Sequence, residues 1–155
     1  MRYIRGQTDR VVKVSKSAPK SAVAPLEVAS KLREAVSSLN LRRVAELYAD
    51  NATVWHNTTQ SRQSKAESLA FLAQLFGLFQ SFELANPVCR QLPGGFLQYH
   101  TVRAIFKDGT PAPEVPACMV ADVEDGVIIE LREWFDSNQF SEVFARLAKQ
   151  GVTLS

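Results

Sequence analysis

The chain has 155 residues, of which 46% are hydrophobic and 22% are charged. This composition is typical of one globular domain and excludes a wholly disordered chain or a collagen-like fibre. Its apolar runs are only a few residues long, so we expect no membrane insertion. The two cysteines, Cys89 and Cys118, form no CxxC pair, and we expect a reduced, cytoplasmic protein.

The net charge of +2 is unevenly distributed along the chain. Residues 1–25 contain six basic residues and one acidic residue, which leaves 12 basic and 15 acidic residues in 26–155. The first segment is rich in serine and has little apolar periodicity, so we predict a flexible basic tail over 1–25 and one domain over 26–155. Because the domain itself is net acidic, its charge argues against a nucleic-acid partner.

The domain begins with two helices. Pro25 starts a stretch in which apolar residues recur every three or four positions up to Leu39, which predicts a helix with one apolar face. A second, short helix follows, with Tyr48 facing inward. Turn chemistry at 50–51 then separates this helix from a short strand over 52–57.

A third helix follows a polar loop over 60–63. Ser64 and Glu67 have the spacing of a capping box, in which each side chain bonds the backbone N–H of the other residue. Phe76 belongs to the strong apolar stripe of the helix that this capping box starts. We expect this stripe to pack on a sheet formed by the strands that follow.

From position 82 the apolar period changes from three or four residues to two, which indicates strands. We predict an irregular strand that is broken at Pro87, followed by three further strands and a terminal helix, over 96–106, 118–123, 127–135 and 138–149. Glycine-containing turns join most of the strands, which favours antiparallel pairing. The order of elements predicts an α+β fold, with a curved sheet whose concave side is covered by three helices and encloses a pocket.

The last strand carries one carboxylate on an otherwise apolar face. Strand alternation places Ile129, Leu131, Glu133 and Phe135 on one side. A carboxylate among apolar neighbours is costly unless it is hydrogen-bonded or paired. Burial is expected to raise its pKa toward the range of a general acid or base. The alternative is a structural glutamate that pairs with an arginine or a backbone N–H.

Both histidines of the chain lie on predicted strands. His56 shares the face of Val54 on the first strand. His100 shares an inward face with Gln98 and four apolar residues, Phe96, Val102, Ala104 and Phe106. Together with Glu133 they form a candidate proton-transfer site. The same three residues are a weaker candidate for a metal site, because metal ligands usually have tighter local spacing, and we expect no bound metal.

A family resemblance begins at 44–57, which reads V-A-E-L-Y-A-D-N-A-T-V-W-H-N and precedes a long helix. It resembles the opening of the nuclear-transport-factor-2-like superfamily. The run G-V-I-I-E-L-R-E-W-F-D at 126–136 resembles the last strand of that family. The resemblance covers about 26–149 and is nearest to the SnoaL-like (polyketide-cyclase-like) group. It implies a cone-shaped α+β barrel, closed by three N-terminal helices and followed by a C-terminal helix, with a deep apolar pocket and a homodimer through the sheet.

Ketosteroid isomerases of this superfamily have a catalytic aspartate on the first strand, and an ungapped match places His56 there. Their oxyanion-hole tyrosine falls near Ala35, which has no hydroxyl group. The resemblance therefore does not imply isomerase chemistry of that type.

Limonene-epoxide hydrolases have a tyrosine and an asparagine on the first strand, where this chain has Trp55 and Asn57. Their last-strand carboxylate matches Glu133. The remaining aspartate and arginine fall near His100 and Val102, so the arrangement of these enzymes is broken here. The two comparisons also place opposite faces of the first strand in the pocket, a difference that a one-residue bulge would reconcile.

We predict a pocket enzyme that uses Glu133, His100 and His56 for acid–base chemistry of the isomerase, cyclase or hydrolase kind on a small apolar molecule, without a cofactor. Further ligand contacts are expected from seven residues: Trp55, Asn57, Gln98, Phe76, Met119, Leu131 and Phe135. The alternative is a non-catalytic module of the same fold that binds a small ligand or dimerises. Trp134, on the face opposite Glu133, suits such a dimer interface.

Overall fold

The structure is a computed structural model that describes residues 24–152. This part of the chain contains four helices and six strands. In chain order they are α1 (Pro25–Ser37), α2 (Leu41–Glu46), β1 (Tyr48–His56), β2 (Arg62–Ser64), α3 (Lys65–Leu78), β3 (Phe79–Leu92), β4 (Gly95–Phe106), β5 (Val115–Glu124), β6 (Val127–Phe135) and α4 (Ser141–Lys149). The basic tail predicted over 1–25 lies outside the described residues except for its last two positions.

The six strands form one curved sheet in the order β2-β1-β6-β5-β4-β3. Strands β1 and β6 pair in parallel, and every other neighbouring pair is antiparallel. Helix α1 packs against β3 and β4, whereas α3 packs against β1. The predicted α+β fold is confirmed, with a sheet that curves without closing into a complete barrel. None of the helices in 24–152 is long and apolar enough to cross a membrane.

The first strand is longer than the sequence predicts. It begins at Tyr48, which we expected in the preceding helix, and it runs through the predicted turn at 50–51. The pairing with β6 shifts register between Tyr48 and Thr53, so an irregular stretch of strand takes the place of the turn. The predicted loop over 60–63 is also wrong in part, because Arg62–Ser64 pairs with β1 as an edge strand.

Strand β3 continues through Pro87, where we predicted a break. It pairs only with β4 and lies at the edge of the sheet, where a proline need not donate a ladder hydrogen bond. The irregularity is a register shift between Ala85 and Val88, and Asn86 there has a positive φ of 51°. The expected capping box of Ser64 and Glu67 is present at the start of α3.

Alternation on the central strands determines what faces the concave side. All six inward positions predicted on β4 are buried, and these are Phe96, Gln98, His100, Val102, Ala104 and Phe106. On β6 a bulge opposite 122–123 adds one residue, so Ile128 is buried in place of Ile129. After that bulge Leu131 and Glu133 regain the predicted alternation. The concave face therefore presents His100 and Glu133, two residues of the candidate proton-transfer site.

Candidate active site

Three strands bring Glu133 and the two histidines together. Because β1 and β6 are parallel neighbours, His56 lies directly beside Glu133 in the sheet. The Nε2 atom of His56 is 3.3 Å from Oε2 of Glu133. His100 lies two strands away on β4, beside Ala117 of β5, and its Nε2 atom is 4.0 Å from Oε1 of Glu133. Each carboxylate oxygen therefore faces one imidazole nitrogen.

The pKa of Glu133 moves in the direction opposite to our expectation. Burial raises this pKa, but the hydrogen bond and the charge of His56, together with the charge of His100, outweigh burial and lower it below its ordinary value. The sequence grouped both imidazoles with Glu133, but the expected rise was based on the apolar neighbours along the strand and did not include the effect of the imidazoles on the pKa. Glu133 is consequently ionised at neutral pH, and its side chain is 20% exposed.

His100 is held from behind by a chain of polar groups. Its side chain has no exposed surface, and its Nδ1 atom lies 3.1 Å from Nε2 of Gln98. Nη1 of Arg33, on α1, donates to Oε1 of Gln98 at 2.8 Å. Cys89 Sγ lies 3.1 Å from the same oxygen. Burial lowers the pKa of His100, the charge of Glu133 opposes this, and the charge of Arg33 lowers it further.

A cavity of about 420 Å³ opens between the sheet and the helices. Its lining is mostly apolar, and Glu133 and His56 are among its polar groups. Three of the predicted ligand contacts, Met119, Leu131 and Phe135, line this cavity. The ring of Phe135 packs edge-on against His56 with centroids 6.2 Å apart. An ionised carboxylate hydrogen-bonded to an imidazole therefore faces an apolar cavity.

Four other predicted ligand contacts do not line the cavity. Trp55 points to the opposite face of the sheet, where its ring centroid is 5.3 Å from that of Trp134. Gln98 is fully buried behind His100. Phe76 packs against Phe82, with ring centroids 6.3 Å apart. Gln98 and Phe76 were expected at the cavity because strand or helix periodicity gives a face and not a depth, whereas Trp55 was expected there from the resemblance to limonene-epoxide hydrolases.

Asn57 is the fourth of these residues, and it connects the end of β1 to β6. Its Nδ2 atom donates to the backbone oxygen of Phe135 at 2.9 Å, and its Oδ1 atom accepts from the Phe135 N–H at 3.1 Å. Its own backbone N–H donates to the carbonyl of Glu133 at 3.1 Å. The side chain therefore extends the parallel ladder past the end of β1 and fixes the backbone around Glu133. The open question of which β1 face lines the cavity is answered by Val54 and His56.

Two functional candidates were missed by the sequence reasoning. Tyr48 lines the cavity, and burial together with the negative charge of Glu133 raises the pKa of its phenol above the ordinary value. It is therefore a neutral O–H donor at physiological pH. Arg33 reaches the site from α1 through Gln98. The signal for Arg33 was a basic residue next to Leu32 on the apolar side of α1. The periodicity of α1 does not show that this side chain reaches β4.

His100 differs from His56 in its access to the cavity. It does not belong to the cavity lining, and its side chain has no exposed surface. Among residues 24–152 there is no group of three or more His, Cys, Asp or Glu side chains placed to share a metal ion.

Solved structures share this fold at low sequence identity. PrhC from Penicillium brasilianum NBRC 6234 superposes with a TM-score of 0.67 and 15% identity, covering 81% of this chain and 89% of its own. A candidate SnoaL-like polyketide cyclase from Shewanella denitrificans OS-217 has a TM-score of 0.64 and 11% identity, with 79% and 97% covered. A protein of ketosteroid-isomerase-like fold from Catenulispora acidiphila DSM 44928, in complex with trimethylamine, has a TM-score of 0.64 and 13% identity, with 81% and 94% covered.

No protein-family model matches the sequence, and no curated protein matches it either. The likeness is therefore one of fold. It confirms that the chain has the cone-shaped fold of the nuclear-transport-factor-2-like and SnoaL-like proteins to which its sequence motifs pointed.

Proposed function

We propose that this protein is an acid–base enzyme that moves a proton on a small apolar molecule bound in the concave cavity, with isomerase, cyclase or hydrolase-like chemistry. The observation that carries the proposal is the ionised Glu133 hydrogen-bonded to His56 at the wall of an apolar cavity. Burying a charge and an imidazole beside apolar surface costs free energy unless hydrogen bonds and neighbouring charges offset it. Groups of this kind cluster at functional sites. The likeness to candidate polyketide cyclases supports the same class of chemistry.

His56 and Glu133 divide the work in this proposal. The ionised carboxylate accepts the Nε2–H of His56, which leaves the lone pair of the neutral imidazole on Nδ1. The free Nδ1 can then accept a proton from a bound molecule and return it, which is the role of a general base. Glu133 orients the ring and stabilises the imidazolium that forms, as a carboxylate does in a catalytic triad.

Tyr48 is the proposed hydrogen-bond donor to the substrate. Its phenol shares the cavity with His56, and its raised pKa keeps the proton on oxygen. A neutral donor of this kind stabilises negative charge that develops on a substrate oxygen when a neighbouring carbon loses a proton. The apolar lining by Met119, Leu131 and Phe135 would hold the remainder of such a molecule.

The test is hydrogen exchange into defined probes. Cyclic ketones are incubated in D₂O with wild-type protein, His56→Gln, Glu133→Gln and Tyr48→Phe, and deuterium incorporation next to the carbonyl is followed by NMR. Styrene oxide serves as a separate probe for hydrolysis. We expect exchange or hydrolysis above the buffer rate for wild type and its loss in His56→Gln. The matched control is Trp55→Phe, which alters the neighbouring residue on the opposite face of β1.

Native mass spectrometry of the purified protein distinguishes the alternative. A retained apolar ligand, with no turnover of that ligand or of either probe by wild type, would contradict the enzyme and support a binding module.

We propose in addition that two copies associate through the convex face of the sheet. Trp134 is 40% exposed and Tyr99 is 50% exposed, although both lie on central strands. They flank Cys118 across three adjacent strands, and the ring of Trp55 packs against that of Trp134 in a tilted arrangement. Exposed aromatic side chains on neighbouring strands of a sheet suit a self-complementary interface. Sedimentation velocity of wild type and Trp134→Glu tests this, and a concentration-independent monomer in wild type would contradict it.

A further inference from the structure

We infer that Arg33 is a positioning residue that acts through Gln98 to hold His100 in the neutral tautomer with its proton on Nε2, so that this N–H faces Glu133. The inference rests on the proposed function only for its catalytic consequence. Its structural content is a directed chain of hydrogen bonds across three elements, from α1 to β4 to β6. None of these groups has to touch the substrate.

The direction of the chain is set at its arginine end. A guanidinium only donates hydrogen bonds, and Nη1 of Arg33 lies 2.8 Å from the oxygen of the Gln98 amide. The Cys89 thiol lies on the same oxygen at 3.1 Å, and Arg33 Nη1 is 3.1 Å from its sulfur. The amide oxygen of Gln98 therefore faces Arg33, and its NH₂ group must face the other way.

The amide then selects the tautomer of His100. Nε2 of Gln98 is a donor and lies 3.1 Å from Nδ1 of His100, so Nδ1 must accept. A neutral imidazole with an accepting Nδ1 carries its proton on Nε2. Protonation of Nδ1 would set two donors against each other in a buried site, and both burial and the charge of Arg33 lower the pKa of His100.

The tautomer of His100 affects the charge state of Glu133. Its Oε1 atom lies 4.0 Å from His100 Nε2, close enough for a charge–dipole interaction but too far for a hydrogen bond, while its Oε2 atom faces His56 Nε2 at 3.3 Å. With the proton on Nε2, His100 directs the positive end of its N–H dipole at the carboxylate. In the other tautomer a lone pair would face the same oxygen and disfavour the ionised form. Arg33 thus helps to keep Glu133 ionised without contacting it.

NMR on the full chain tests the tautomer directly. Long-range ¹H–¹⁵N correlation spectra distinguish protonated from unprotonated ring nitrogens, and ¹³C spectra of the Glu133 carboxyl give its pKa. We expect wild type to show His100 with a protonated Nε2 at neutral pH. Arg33→Met should give a mixture of tautomers and a higher pKa of Glu133. Arg33→Lys retains a donor-only group and should restore the wild-type tautomer.

Gln98→Glu supplies a variant with the opposite sign. A carboxylate accepts from Arg33 and also from Nδ1–H of His100, so the proton of His100 should move to Nδ1. The control is Arg103→Met, because Arg103 pairs with Glu114 at the surface and should leave the spectrum of His100 unchanged. A wild-type His100 protonated on Nδ1, or an Arg33→Met protein with unchanged His100 and Glu133 signals, would overturn the inference.

These spectra need no substrate, so the inference and the proposed function fail separately. If the His100 tautomer depends on Arg33 but the protein converts no probe, the positioning role of Arg33 is supported and the proposed enzymatic function is contradicted. If Arg33→Met retains turnover with an unchanged pH profile, the proposed enzymatic function is supported and the catalytic effect of Arg33 is contradicted.

Discussion

The two faces of strands β1 and β6 differ although their residues alternate along the same backbone. On the concave face His56 and Glu133 have side chains that are only 19% and 20% exposed, and they bond each other. On the convex face Trp55 packs against Trp134, which remains 40% exposed. At the ends of these two strands polar groups are thus enclosed and a large aromatic surface is left open, the reverse of the usual distribution in a half-buried sheet.

This inversion indicates that each face does something besides folding. An enclosed carboxylate is tolerated because imidazoles on two other strands stabilise its charge. No comparable interaction explains why Trp134 is exposed near the middle of the sheet. Such an exposed aromatic side chain suits contact with a second protein surface. Each face can therefore be tested by its own measurement. Proton transfer tests the concave face, and dimerisation tests the convex face.

The largest effect is expected from Glu133→Gln on the concave face. This change removes the negative charge that orients His56 and stabilises its protonated form. We expect the turnover of whichever probe the wild type converts to fall about 10²- to 10⁴-fold, as is usual for the loss of an acid–base group. The control is Trp134→Phe, the next residue of the same strand on the other face. An equal loss in both variants would contradict the division of labour between the faces.

The next effect is expected from Trp134→Glu on the convex face. A charge at the centre of the proposed interface should weaken dimerisation by at least about 2 kcal/mol, or roughly 30-fold in Kd. Sedimentation velocity over a range of concentrations measures this. Probe turnover per chain should persist in the monomer, and its disappearance would show that the two faces are not independent.

A smaller effect is expected at the junction of β1 and β6. Asn57→Ala leaves the backbone N–H and carbonyl of Phe135 without their side-chain partner. The free energy of unfolding should fall by about 1–3 kcal/mol, the usual cost of unpaired buried polar groups. Urea unfolding measures it, with Asn51→Ala at an exposed position of the same strand as the control. A loss in the Asn51 variant as large as that in the Asn57 variant would contradict the clamp.

The smallest effect is the pH dependence of stability. Burial lowers the pKa of His100 below its ordinary 6.5, so the folded protein binds this proton less tightly than the unfolded chain. The contribution of His100 to the free energy of unfolding should be fully present above about pH 6.5. It should decrease as the pH falls toward the pKa of His100 in the folded protein. The lowered pKa of Glu133 adds a loss of the same sign below about pH 4.5.

Urea unfolding between pH 7 and pH 5 measures the contribution of His100. His100→Asn should flatten the slope of stability against pH in this interval, whatever its effect on stability itself. Trp134→Phe should leave the slope as in wild type. An unchanged slope in His100→Asn would show that this imidazole is not the group that titrates.

Much of the fold was predictable because its signals are local. The two-residue period of β4 assigned every inward residue, and the spacing of Ser64 and Glu67 started α3 at the right place. The predicted ends of helices and strands were wrong where pairing with a neighbouring strand determined them. Tyr48 joined a strand and not a helix because β6 lies beside it in parallel, and Pro87 was accommodated because β3 is an edge strand.

The candidate site was predictable in part for the same reason. Alternation brought Glu133, His56 and His100 to one face, and the structure places a nitrogen of each imidazole within 4.0 Å of the Glu133 carboxylate. Alternation does not give depth, so Gln98 was expected at the cavity and lies behind it. Nor did it include Arg33, since a link from α1 to β4 joins residues that are 65 positions apart.

The sequence by itself determined which residues share a face, because strand and helix periods are properties of the local backbone. Only the tertiary structure decided the charge state of that face. The pKa of Glu133 was expected to rise from its apolar neighbours along β6, and it falls because the curved sheet adds imidazoles from β1 and β4. Electrostatic interactions depend on distance in space, and the alternation along one strand does not contain that distance.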